Sequence, residues 1–105
     1  MAYKTNIEKL TLENRRFRKI LFTTNQMQLV LMSLKSGEEI GREKHSGITQ
    51  FIRIEKGKGL AEVGSKRYRL KDGDCIMIPA GKYHNIINTG RSRLKLYTLY
   101  APPAH

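Results

Sequence analysis

The sequence predicts one all-β domain with little or no helix, built as a sandwich or a closed barrel. Turn residues such as Gly, Asn, Asp and Pro recur at short intervals, and short apolar runs lie between them. This pattern is typical of sandwiches and barrels, whereas βαβ units would alternate strands with longer helical segments. A length of 105 residues also suits one domain, because domains typically contain about 100–150 residues.

The chain is predicted to consist of an N-terminal arm and one domain. We place the arm at residues 1–14 and the domain at residues 15–105. Within the arm, residues 6–14 are the only segment of the chain compatible with a helical turn.

Strands and turns alternate through the rest of the chain. Apolar runs at residues 17–22 and 28–34 predict the first two strands, with a turn at residues 24–25 between them. Later turns are predicted at residues 36–37, 56–59, 64–65, 71–74, 79–81 and 88–90. Pro102 ends the last strand, because proline has no backbone N–H to donate to a sheet.

Several predicted strands are apolar on both faces. These strands are residues 29–34, 75–79, 84–88 and 94–100. Strands with this composition are covered on both sides. A second copy of the chain would supply the cover, so we expect a homodimer.

The net charge of +11 favours an anionic partner. The basic residues are spread along the chain, and only Arg15, Arg16, Arg18 and Lys19 form a dense cluster. Basic and aromatic residues do not interleave along the sequence in a recognisable nucleic-acid motif. We therefore rank nucleic acid last among the partners and expect a small anionic substrate or ligand.

The sequence also bears on location. No run approaches the roughly 18–20 consecutive apolar residues of a membrane-spanning helix. The first residues lack the apolar centre of a secretory signal. We therefore expect a cytoplasmic protein that does not enter a membrane.

Cys75 is the only cysteine. Neither an intrachain disulfide nor a cysteine-based zinc site can form with one thiol. Because Cys75 lies in the apolar run at residues 75–79, we expect it to be buried and inert.

Two spaced motifs carry the candidate ligands. The first begins at Gly37 and ends at Gly57, with Glu43, His45 and Gln50 between them. Residues 43 and 45 share one face of a strand, because side chains alternate with a period of two. Gln50 shares its face with the apolar side chains at positions 52 and 54, so it is predicted to point into the barrel.

The second motif begins at Gly73 and ends at Asn88. Pro79 and Gly81 form a turn before His84, and this turn can direct the next strand back into the barrel. The inward set then holds one carboxylate, two imidazoles and an amide oxygen, which suits one divalent ion: zinc, manganese or iron. The predicted metal ligands are Glu43, His45, Gln50 and His84. The alternative is a polar pocket that holds only water.

These motifs resemble the two boxes of the cupin family. The family pattern is Gly-x5-His-x-His-x4-Glu-x6-Gly followed by Gly-x5-Pro-x-Gly-x2-His-x3-Asn. The second box matches residues 73–88 at every specified position. The first matches residues 37–57 in all its spacings, with Glu43 in the place of the first histidine and Gln50 in the place of the glutamate. The resemblance implies a single-domain cupin, a double-stranded β-helix or jelly-roll barrel with a metal inside.

The chain is similar to the small stand-alone cupins grouped with mannose-6-phosphate isomerase. The resemblance and the ligand chemistry imply a metal-dependent enzyme, isomerase-like or dioxygenase-like, that acts on a small anionic sugar-like compound or keto acid. No catalytic residue is assigned, although Tyr83, Tyr97 and Tyr100 are conceivable proton donors. The alternative is a non-catalytic module that binds a small ligand or a metal.

Overall fold

The computed structural model describes residues 1–104, and residue 105 lies outside the described part. One short helix precedes nine strands in these residues. The elements are α1 (Ile7–Glu13), β1 (Arg18–Thr23), β2 (Gln28–Leu34), β3 (Glu43–Lys44), β4 (Thr49–Lys56), β5 (Gly59–Val63), β6 (Lys66–Leu70), β7 (Cys75–Ile78), β8 (Tyr83–Asn88) and β9 (Leu94–Ala101).

The strands form two antiparallel sheets of a jelly roll. The five-stranded sheet has the order β1-β2-β9-β4-β7, and the four-stranded sheet has the order β3-β8-β5-β6. The predicted all-β jelly-roll fold is therefore confirmed, and the helical turn expected in residues 6–14 is α1. This helix is too short and too polar to cross a membrane.

The core lies between the two sheets. On β4, the side chains of Gln50, Ile52 and Ile54 are buried while those between them are only half-buried, as the period of two predicts. The buried apolar cluster comprises Val30, Met32, Leu34, Ile52, Ile54, Ala61, Leu70, Ile78, Ile86, Leu94, Leu96 and Tyr100. Polar side chains enter this interior mainly where β3, β4, β8 and β9 meet, and they form the candidate site.

The helix α1 covers part of the outer face of the five-stranded sheet, where it contacts β2, β4 and β9. Its N-terminus is capped by Asn6, whose side chain accepts a hydrogen bond from Lys9 N at 3.0 Å. At its other end, Asn14 O accepts a hydrogen bond from Lys95 Nζ. Part of the cover expected over the apolar strands thus comes from the chain itself, and the homodimer stays a prediction.

The prediction of a buried Cys75 is wrong, because its side chain is exposed. It begins β7, an edge strand of the five-stranded sheet. Alternation along β7 turns Ile76 and Ile78 toward the core, so that Cys75 and Met77 point outward. Met77 is 64% exposed, which shows that the structure leaves this end of the outer face uncovered.

Gly57 is the glycine whose replacement should cost most in this fold. It has a φ of +112°, and an added Cβ would lie 3.0 Å from Arg93 O, whereas Gly64 has a φ of +60° with nothing within 4 Å. We expect Gly57→Ala to lower the free energy of unfolding by about 1–3 kcal/mol more than Gly64→Ala, because both strain and a backbone clash act at Gly57. Urea unfolding of both variants measures this difference. Equal losses would contradict the close packing of the β4–β5 turn on β9.

Candidate metal centre

The pairing of β3 with β8 positions two of the predicted ligands. In this antiparallel pair, Glu43 lies opposite His84, so their side chains share the inner face of the four-stranded sheet. The short β3 is held in this register by a hydrogen bond from Ile40 N to Ile86 O at 2.9 Å. On the other side, Gly81 N donates to His45 O at 2.9 Å, which ties the turn before β8 to the end of β3.

Three of the four predicted ligands come together in the structure. One ligand atom from each of Glu43, His45 and His84 lies within 4.8 Å of the others. The imidazole rings of His45 and His84 are 5.4 Å apart between centroids. Donor atoms gathered this closely can bind the same divalent ion.

The imidazole of His84 is oriented as a ligand. Its Nδ1 lies 3.0 Å from the backbone oxygen of Lys82. Because a carbonyl only accepts, Nδ1 carries the proton and Nε2 presents a lone pair. Nε2 is buried and has no hydrogen-bond partner in residues 1–104. A buried histidine that donates one nitrogen to a carbonyl and leaves the other unpaired is the arrangement found at metal sites.

Glu43 and His45 form the more accessible side of the site. His45 Nε2 lies 2.6 Å from Glu43 Oε2, and the two side chains are 17% and 27% exposed. A hydrogen bond of this length is short. A metal bound to both atoms would replace this hydrogen bond.

Gln50 approaches the site from the opposite sheet. On β4 it lies beside Tyr100 of β9, and its Nε2 donates to Thr98 Oγ1 at 2.9 Å. Its Oε1 is buried with no hydrogen bond of ordinary geometry among the described residues. An amide held by its nitrogen keeps an oxygen with which it can bind a metal. The role of Gln50 as a ligand stays a prediction.

Tyr100 packs against one member of the cluster. Its ring lies edge-on to that of His45, at 5.7 Å between centroids. Burial raises the pKa of the Tyr100 phenol above its usual value of 10.0; Glu43 also raises it, while Arg18 and the amide of Gln50 lower it. The other two conceivable proton donors lie elsewhere: Tyr97 packs near Phe51 at 6.4 Å between ring centroids, and Tyr83 is exposed.

Thr98 is the residue of the site that sequence reasoning missed. It lies on β9 between Leu96 and Tyr100 on the inward face. The alternation of side chains in this strand was the available signal, since a polar residue there had to point into the core.

Two facing antiparallel sheets around an inward Glu/His/His cluster define a small jelly-roll protein with a candidate metal site. Residues 30–100 match the Cupin_2 family, a cupin domain, and the chain therefore belongs to the cupin family. This confirms the resemblance inferred from the two motifs.

The chain is similar to three further proteins over nearly its whole length. It is 44% identical to YrkC of Bacillus subtilis (strain 168), over 98% of this chain and 59% of YrkC. It is 45% identical to L612 of Acanthamoeba polyphaga mimivirus, over 99% of this chain and 68% of L612. The crystal structure of BH2720 from Bacillus halodurans has a TM-score of 0.98 and 43% identity, covering 100% of this chain and 84% of that one.

These relatives support the fold more than the function. The chain spans 59% of the length of YrkC, so it corresponds to one part of that longer protein. The names of the three proteins state no activity. Function must therefore be argued from the site.

Gln50 can be tested by introducing a carboxylate. We expect Gln50→Glu to destabilise the metal-free protein, because a second buried carboxylate near Glu43 is desolvated and repelled. A divalent metal should then raise the melting temperature more than in the wild type, because the new charge adds to the binding energy. Thermal unfolding with and without Zn²⁺ or Mn²⁺ measures both effects. A variant destabilised equally with and without metal would place Gln50 outside the ligand set.

Proposed function

We propose that Glu43, His45 and His84 bind one divalent metal ion, and that the chain is a metal-dependent enzyme for a small anionic substrate. The observation that carries the proposal is the buried, unpaired Nε2 of His84, which lies where a carboxylate and a second imidazole also gather. Leaving such an atom unpaired costs about 1–3 kcal/mol. A metal would satisfy it.

The donor set limits the metal. Two imidazoles and one carboxylate with open positions suit non-haem iron, and the same donors also bind zinc or manganese. The oxygen of Gln50 could supply a fourth donor. Iron would favour dioxygenase-like chemistry, while zinc or manganese would favour isomerase-like chemistry.

A bound divalent ion would supply Lewis-acid polarisation of a carbonyl or enediol oxygen of the substrate. The residues of the chain have separate tasks. If Glu43 binds the metal, its carboxylate is not available to act as the general base that takes a proton from the substrate. Tyr100 holds a proton on its hydroxyl at neutral pH, since a phenol has a pKa of about 10. Its place beside His45 makes it the proton donor that we favour.

The surroundings of the site suit a small charged substrate. The partial exposure of His45 and Glu43 opens this end of the barrel to solvent, while the apolar core closes the other side. The net charge of +11 attracts anions by long-range electrostatics. A sugar-like phosphate or a keto acid combines a negative charge with a carbonyl oxygen that a metal can bind.

A second candidate function is a non-catalytic module that holds a small ligand or a metal. One feature favours it: Gln50 is neutral and tied to Thr98, so Glu43 alone supplies negative charge to the ligand set. Such a site would bind its metal less tightly than one with two carboxylates.

Metal binding is tested with a pair of variants on β8. We expect the wild type to bind one equivalent of Zn²⁺, Mn²⁺ or Fe²⁺, and His84→Ala to lower the affinity at least about tenfold. Asn85→Ala is the matched control, because Asn85 is also buried and polar but points to the outer face, where it contacts Glu39 and Gly41. Calorimetric titration of metal-free protein measures both. Equal metal content in the wild type and His84→Ala would remove the proposed site.

Catalysis is tested by turnover. Metal-loaded protein is incubated with a panel of sugar phosphates and keto acids, and products are followed by NMR and by oxygen consumption. We expect Tyr100→Phe to keep the metal but to lower kcat about 100-fold or more on the substrate found, because general acid catalysis typically contributes about that much. A panel compound that raises the melting temperature without turnover would favour the binding module.

A further inference from the structure

The outer face of the four-stranded sheet carries a concentration of positive charge that the candidate metal centre does not use. Register pairs place Lys44 beside Tyr83, Glu62 beside Asn85 and Arg67, and Leu60 beside Ile87 and Arg69. These side chains alternate with the inward ones, so they all point away from the barrel. We call this surface the outer basic face; it comprises Arg42, Lys44, Leu60, Glu62, Arg67, Arg69, Tyr83, Asn85 and Ile87.

Two cations lie near the ring of Tyr83 at one edge of the outer basic face. The guanidinium carbon of Arg42 and the Nζ of Lys44 each lie 5.1 Å from the centre of its ring. Both distances are within the range of cation–π attraction. Tyr83 is 50% exposed, so the ring presents an aromatic surface to solvent with positive charge around it.

More cations lie at the other edge of the outer basic face. A groove of about 760 Å³ runs along β6 and is lined by Lys58, Arg67, Arg69 and Lys71, with Asp74 as its single acidic residue. Asp74 is already paired with Lys71 at 3.5 Å. The groove therefore retains a net positive charge.

Most of these cations have no acidic partner. Arg67 pairs with Glu62 at 3.4 Å. In contrast, no carboxylate of residues 1–104 forms an ion pair with Arg42, Lys44, Lys58 or Arg69. Unpaired cations spread over one face form an electrostatic footprint for a polyanion.

The spacing of the charges indicates an extended ligand. Lys44 lies on the edge strand β3, and Arg67 and Arg69 lie on the opposite edge strand, β6. Strands in a sheet are about 4.8 Å apart, so three steps separate these edges by roughly 14 Å. A single phosphate or a small acid cannot reach both edges, whereas a chain of negative charges can cross the sheet.

We propose that the outer basic face binds single-stranded nucleic acid, with the phosphates on the cations of both edges and a base stacked at Tyr83. An exposed aromatic ring flanked by cations on an open sheet is the combination that single strands bind. An acidic peptide would use the cations but would not need the ring. The metal centre lies on the opposite, inner face of the sheet, so this binding does not require the proposed catalysis.

The outer basic face could not be recognised in the sequence. Arg42 and Lys44 are far from Tyr83 along the chain, and only the pairing of β3 with β8 brings them together. The cluster at residues 15–19 is the alternative basic site, and it provides a matched control.

The experiment measures the polarisation of a labelled single-stranded oligonucleotide, both DNA and RNA, at low and at increasing salt. We expect Arg42→Glu/Lys44→Glu to lower the affinity at least about tenfold and to reduce the salt dependence, because fewer counterions are released. Arg16→Glu/Lys19→Glu changes the net charge equally but should keep most of the binding. Arg69→Glu tests the other edge of the sheet. If circular dichroism shows that Arg42→Glu/Lys44→Glu does not fold, Arg69→Glu takes its place.

The aromatic contribution is tested separately. We expect Tyr83→Ala to weaken binding about 5- to 100-fold, because stacking of a base on an aromatic ring contributes that much. Tyr83→Phe keeps the ring and should stay within about twofold of the wild type.

Several results would overturn the proposal. Absence of binding at low salt would do so, as would equal losses in the two double charge reversals. Wild-type affinity in Tyr83→Ala would remove base stacking and with it the single-strand preference. Competition by polyglutamate as strong as that by an unlabelled oligonucleotide would assign the face to acidic polypeptides instead.

Discussion

The register between β3 and β8 is the constraint on which the candidate metal centre depends. It places Glu43 opposite His84 on the inner face. A slip of β3 by one residue would turn Lys44 inward in place of Glu43, because neighbouring side chains on a strand point to opposite faces. Two residues of β3 cannot hold this register by themselves. The backbone hydrogen bonds of Ile40 with Ile86 and of Gly81 with His45 extend the pairing on both sides.

The polar end of the barrel is tolerated because the rest of the interior is apolar. Burial of the His84 imidazole and the Gln50 amide costs free energy, which is only partly recovered through Lys82 O and Thr98 Oγ1. The packed isoleucines and leucines of the core supply the stability that offsets this cost. The unpaired Nε2 of His84 lies beside Glu43 and His45. A metal bound there would remove this cost, which would contribute to its affinity.

The sequence predicts the site where the evidence is local and fails where it depends on distant strands. The spacing around His45 and His84 identified two candidate ligands, and alternation on β4 placed Gln50 inside. In contrast, Thr98 acts through a strand that carries neither motif. Exposure of Cys75 depends on which strand forms the sheet edge, and a run of apolar letters does not specify this. Pairing across the sheet is likewise what joins two cations to one tyrosine on the outer basic face.

The two faces of the β3–β8 pair are coupled by their shared backbone. The same two residue pairs that set Glu43 against His84 inside also set Lys44 against Tyr83 outside. A ligand that binds Lys44 and Tyr83 in this register also stabilises the pairing of Glu43 with His84. The reason is that side chains can change faces only if the register of the two strands changes. Linkage makes this effect reciprocal, so occupancy of the metal centre would favour the outer geometry to the same extent. Since β3 contains only Glu43 and Lys44, it is the element through which such coupling would act.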